Sequence, residues 1–94
     1  MRRIRRLPEG LGHSRAVLVP LRELYLLAGE PSMRKMEQST RHAVSRDTAH
    51  RILTGPELPR WEPLEHIVKA LGGDVAAFRE LWVSARRAME EEGG

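Results

Sequence analysis

Four polar side chains gather in the segment VSRDTAHRILTG, residues 44 to 55, at a spacing that gives them a shared direction. In a helix, Asp47 and Arg51 stand one turn apart, opposite Ala49, Ile52 and Leu53; His50 lies on the flank and Arg46 leads at the N-terminal tip. Such groups recognise rather than react. A guanidinium presents two donors that match guanine O6 and N7, and a carboxylate can accept from a cytosine amino group. Asp47 has two further readings: four residues before Arg51 it can hold that guanidinium, and in a first turn it opposes the helix dipole. Arg46 and Arg51 also fit the solvated face of an ordinary surface helix, which is the default for isolated arginines.

Bond-making chemistry finds no comparable set. The chain has no cysteine, which removes disulfides, thiol catalysis and cysteine zinc sites. Histidines 13, 42, 50 and 66 show no metal-ligand spacing, and Glu62 with His66 is an ordinary i to i+4 pair. A Ser/His/Asp set on loops, a glycine-rich phosphate loop and a His-Glu-x-x-His motif are all missing. The expectation is a binder with no enzymatic activity, metal, cofactor or small-molecule substrate.

Five helices are predicted to position the polar edge. Leu21, Leu24, Tyr25 and Ala28 repeat at helical spacing after Pro20, taken as a first helical position, and Gly29 with Pro31 stops the run. Ser32 caps a second helix with Met33, Met36 and Thr40 on one face, ending near residue 40. Arg41, His42 and Ala43 connect it to the third, which Ser45 caps, Val44 staples and Gly55-Pro56 ends. The loop PELPRW, with Leu58 and Trp61 turned inward, leads to a fourth helix marked by Leu64, Ile67, Val68 and Leu71. Asp74 caps a fifth with the stripe Val75, Phe78, Leu81, Trp82, Ala85 and Met89, and EEEGG is a solvated end. Residues 1 to 15 hold no sustained period and read as a mobile basic arm; residues 16 to 92 form the domain. The class is all-α, and two short helices across a tight connector describe a helix-turn-helix.

Composition is compatible with that reading. The 94 residues suit one domain, 40% apolar and 31% charged, and 4% aromatic content leaves the core to aliphatic side chains. Net charge sums to +3 over residues 1 to 31, +3 over 32 to 61 and −3 over 62 to 94, so a basic front faces an acidic tail. Such asymmetry suits a polyanionic partner, although +3 overall is also what solubility alone produces. No apolar run reaches membrane-spanning length, and MRRIRRLPEG lacks the apolar core of a signal peptide.

Residues 21 to 82, about two-thirds of the chain, resemble the helix-turn-helix domain of the phage-repressor (Cro/C1, Xre-like) superfamily in its actinobacterial form. The likeness rests on LREL at 21 to 24, SMRKM at 32 to 36, VSRDTAHRILTG at 44 to 55, LPRW at 58 to 61 and ALGGDVAAFRELW at 70 to 82. It implies a cytoplasmic, nucleoid-associated regulator of transcription, in the first instance a repressor, whose third helix reads double-stranded DNA. Base-reading positions fall on Arg46, Asp47, Thr48 and Arg51, with His50 on the flank. Backbone contacts are expected at Ser32, Arg34, Lys35, Arg41, His42, Ser45, Thr54, Gly55 and Arg60, and from Arg2, Arg3, Arg5 and Arg6 of the arm. The chain departs from the family in two ways. Its connector is longer and carries Arg41 and His42 where related chains often have glycines, and Glu37 occupies a position usually held by a small residue.

A different binder competes with this one. The end of the fifth helix, at Trp82, Ala85 and Met89, fits a homodimer seam that would bring two third helices one DNA turn apart. The same surface would serve a protein-interaction adaptor with weak or no DNA binding.

Overall fold

The computed structural model describes residues 6–93, and every regular element among them is helical. After a 3₁₀ turn (Gly12–Ser14) come α1 (Arg15–Leu27), α2 (Met33–Ser39), α3 (Arg46–Thr54), α4 (Trp61–Ala70) and α5 (Val75–Gly93). Aliphatic side chains do make the core: Leu18 and Leu21 of α1, Met36 of α2, Leu53 of α3 and Leu64, Ile67 and Val68 of α4 are all fully buried. Among the described residues no helix is long and apolar enough to cross a membrane.

Helix α1 starts earlier than its sequence suggests. Pro20 is an interior residue of a helix that begins at Arg15, not a first-turn residue. An interior proline costs about 3 kcal/mol. Val17 and Leu18, both 0% exposed, offset that cost by burying two apolar side chains in the turn before it. Residues 6 to 15, which by sequence belong to a mobile arm, are likewise packed in part. Leu11 is buried, Leu7 lies against the core, Ser14 is buried and His13 Nε2 meets Glu92 Oε1 at 2.8 Å. Arg2, Arg3 and Arg5 lie outside the described residues, and Arg6 is exposed.

Local signals set most other boundaries. Ser32 Oγ accepts from Lys35 N at 3.1 Å, Ser45 Oγ from Thr48 N at 3.2 Å, and Asp74 Oδ1 from Ala77 N at 3.1 Å, so all three predicted caps are made. Helix α4 begins at Trp61, three residues before the first apolar position used to define it, with Pro63 in its first turn. Helix α5 runs to Gly93, so Glu90, Glu91 and Glu92 are helical rather than a loose end.

The C-terminal end of α3 depends on a distant residue. Gly55 N bonds Arg51 O at 3.1 Å, the Thr54 hydroxyl donates to His50 O at 2.8 Å, and Arg22 Nη1 of α1 donates to Leu53 O at 3.0 Å. A cation at that end both satisfies a carbonyl and opposes the helix dipole. Partial burial pulls the Arg22 pKa below its ordinary value, yet a guanidinium stays charged in any working range. Replacing Arg22 by Met keeps most of its apolar stem and removes the donor. We expect Arg22→Met to lower unfolding free energy by about 1–3 kcal/mol in urea denaturation, as for a lost hydrogen bond from a charged group. An unchanged midpoint would mean that water replaces the guanidinium without loss.

Candidate functional site

Helix α3 carries the site because only one of its faces is spoken for. Ala49, Ile52 and Leu53 are at most 5% exposed, and Val44 ahead of the cap is buried with them. Arg46, Asp47, His50 and Arg51 are all exposed, as their spacing predicts. Thr48 is half-buried, and its Oγ1 accepts from Ser45 Oγ at 3.0 Å, leaving the Thr48 proton as the one free donor of that pair.

Of the readings open to Asp47, the one-turn link to Arg51 is not made; Arg46 Nε donates to Glu37 Oε1 at 3.2 Å across the gap between α2 and α3. The pair is asymmetric: the Glu37 side chain is 21% exposed and that of Arg46 is 57% exposed. An ion pair this open contributes at most about 1 kcal/mol to stability. Its larger effect is to fix where the Arg46 guanidinium sits.

The polar residues expected on the DNA backbone divide by whether their hydrogen-bond donors remain available. Arg34 and Lys35 are exposed in the first turn of α2, and the Ser32 hydroxyl accepts from the helix while its own proton finds no acceptor among the described residues. Ser45 and Thr54 differ, since their protons go to Thr48 and to His50 O, which argues against a donor role for either hydroxyl. Gly55 serves the fold: it has φ +66°, and a Cβ there would come within 3.0 Å of Leu18 Cδ1 and 3.7 Å of Leu11 Cδ2. Arg60 is exposed, and it lines an open groove with Thr48, Arg51, Glu57 and Pro63. Thus α3 and the loop before α4 bring Arg51 and Arg60 to one surface.

That loop is held by the aromatic pair. Trp82 Nε1 donates to Pro59 O at 2.8 Å, the Trp61 and Trp82 rings lie 5.9 Å apart at 52°, and the Arg79 guanidinium stands 4.9 Å over Trp61. This changes the reading of the end of α5. Ala85 belongs to the chain's own interior at 4% exposed, while Trp82 and Met89 are half-buried. The expected seam is thus used in part within one chain, where the N-terminal turn packs against α5.

The connector is ordered by α2's own ending. His42 N bonds Glu37 O and Arg41 N bonds Gln38 O, both at 2.9 Å, the paired pattern that also ends α1 at Gly29 and α4 at Gly72. Here Arg41 occupies the left-handed position at φ 55°, and His42 follows at φ 65°. Buried Thr40 then closes the turn, donating to Glu37 O at 3.0 Å and accepting from Val44 N at 3.3 Å. Its sequence signal, an apolar-face position on α2, pointed to burial but not to this bridge.

Neither a family model, nor a curated protein, nor a solved structure matches the chain. Among the described residues no three His, Asp or Glu side chains converge as a metal-holding group. What the surface offers is exposed cationic and donor groups around a docked helix: Arg34, Lys35, Arg41, His42, Arg46, His50, Arg51 and Arg60. Sequence reasoning missed Arg22 and the loop-anchoring bond of Trp82; Glu37 stood out as an acid in place of a small residue, without its partner being named.

A side chain in the left-handed region costs about 1–2 kcal/mol relative to glycine's freedom there. We expect Arg41→Gly to raise thermal stability, by about 1 kcal/mol at the transition, in a calorimetric comparison with the parent chain. A lower transition temperature would mean that the Arg41 side chain contributes more through contacts than its backbone loses.

Proposed function

We propose that this protein is a sequence-specific double-stranded DNA-binding regulator of transcription with a Cro/C1-type helix-turn-helix fold, acting in the first instance as a repressor in the cytoplasm at the nucleoid. In this reading α2, the connector and α3 are the motif, and α1, α4 and α5 brace it. The observation that carries the reading is the division of α3: an apolar face buried under caps at both ends, and an exposed edge of Arg46, Asp47, His50 and Arg51. A helix docked in this way enters a major groove by its N-terminal residues.

Roles follow from side-chain chemistry. Arg51 and Arg46 donate to base edges, with Asp47 and His50 beside them, and Thr48 has one hydroxyl proton to contribute. Arg34, Lys35, Arg41, His42 and Arg60 neutralise phosphates, and the Ser32 hydroxyl donates to one. Arg6, and the arginines that precede the described residues, add charge without reading bases.

A protein-interaction adaptor is the competing reading. It is favoured by the exposed large hydrophobic residues of α1, namely Val19 at 41%, Leu26 at 55% and Leu27 at 75%.

Selection from a random duplex pool separates the two. The DNA reading expects enrichment of one site, bound with a steep loss of affinity as salt rises. In that site Arg51→Ala should lose discrimination at one base pair, about five- to 150-fold for a bidentate contact, and should keep most non-specific affinity. An unenriched pool would move the assignment to the adaptor, whereas a uniform loss across all duplexes would reassign Arg51 to a phosphate.

A further inference from the structure

Glu37, the acid of α2 that reaches α3, has no obvious business on a surface that would face phosphates. A carboxylate facing DNA repels it, and the pair it makes with Arg46 is too exposed to be kept for stability. Its geometry suggests a different use. Glu37 Oε1 accepts a hydrogen bond from Arg46 Nε at 3.2 Å, and no other hydrogen bond of that guanidinium is made among the described residues. The two terminal nitrogens therefore keep their donors, and the plane carrying them is held from behind.

We propose that Glu37 is a positioning residue for base recognition: by binding Nε of Arg46 it leaves only the end-on fork of the guanidinium for DNA and steers that fork to a guanine. This inference rests on the DNA-binding reading given above. Three physical terms support it. With Nε occupied, side-on pairing through Nε and one terminal nitrogen is closed, so the guanidinium has one bidentate mode instead of two. Its side chain loses rotamer freedom before binding, which makes the fork preorganised for O6 and N7. The Glu37 charge also cancels that of Arg46 toward distant phosphates, so the pair gives little non-specific affinity and spends its contacts on bases. Because Glu37 comes from α2 and Arg46 from α3, the contact further couples the aim of the side chain to the angle between the two helices.

The test uses the full chain, the duplex enriched by selection, its single-base variants and a scrambled duplex, each measured at several salt concentrations. Glu37→Leu keeps most of the bulk of the side chain and removes both its charge and its acceptor oxygen. It is expected to bind the scrambled duplex more tightly, to steepen the salt dependence by about one phosphate contact, and to lose about tenfold in discrimination at the one base pair that Arg46→Ala also stops reading. Glu37→Asp retains the charge but withdraws the carboxylate by one methylene, and it is expected to lose the same base pair with no rise in scrambled binding. That second variant carries the test if the first fails to fold. An unchanged specificity profile in a folded variant with intact affinity overturns the positioning role while leaving the DNA reading in place. Equal losses at every base pair together with a lower melting temperature overturn it in favour of a purely structural bridge. A parent chain that binds no duplex removes the DNA reading and this inference with it.

Discussion

Helix α3 has nine residues, too few to persist as a helix alone in water, so its shape is borrowed from the groups at its ends and the side chains beneath it. Ser45 satisfies an amide at the start. Arg22, two helices earlier in the chain, satisfies a carbonyl at the finish. Ile52 and Leu53 between them contribute about 1.5–3 kcal/mol each by burial, and Ala49 is small enough to let α3 approach its neighbours closely. Remove these and the exposed edge loses its geometry, because its one side-chain tie to another helix among the described residues, Arg46 to Glu37, is too exposed to hold the helix.

The same constraint explains the two short linkers beside the helix. The turn from α2 accepts a left-handed Arg41 and His42 because Thr40, Gln38 and Glu37 supply its hydrogen bonds and leave the two cationic or protonatable side chains outside. The loop before α4 is short of regular hydrogen bonds, and Trp82 supplies one from α5, which fixes the approach to Arg60. In both linkers the backbone is tied inward and the polar side chains are released outward. Leu7 and Leu11 extend this principle at the N-terminus, where they reach the Gly55 turn and bring the base of the arm beside the end of α3.

What could be read from sequence was what depends on near neighbours. The caps at Ser32, Ser45 and Asp74 act over three residues, and the buried face of α3 follows from spacing alone; all were legible. Pro20 misled because the rule for proline at helix starts says nothing of the burial of Val17 and Leu18, which extends α1 backwards through it. Arg22 and Leu53 lie 31 residues apart, and Glu37 and Arg46 lie nine apart across a turn whose form could not be known. The stripe on α5 was visible as an apolar surface, but only the path of the N-terminal segment shows that this chain covers much of it itself.

In the proposed function the exposed edge of α3, braced by α2 and by the loop before α4, is the surface that would meet DNA. Backbone amide chemical shifts recorded while a selected duplex is titrated into the labelled chain test it most directly. The largest changes are expected on residues 45 to 51, on the start of α2 and around Arg60, with the α1 outer face at Val19 and Leu26 unmoved. Changes concentrated on that α1 face, with residues 45 to 51 silent, would contradict it.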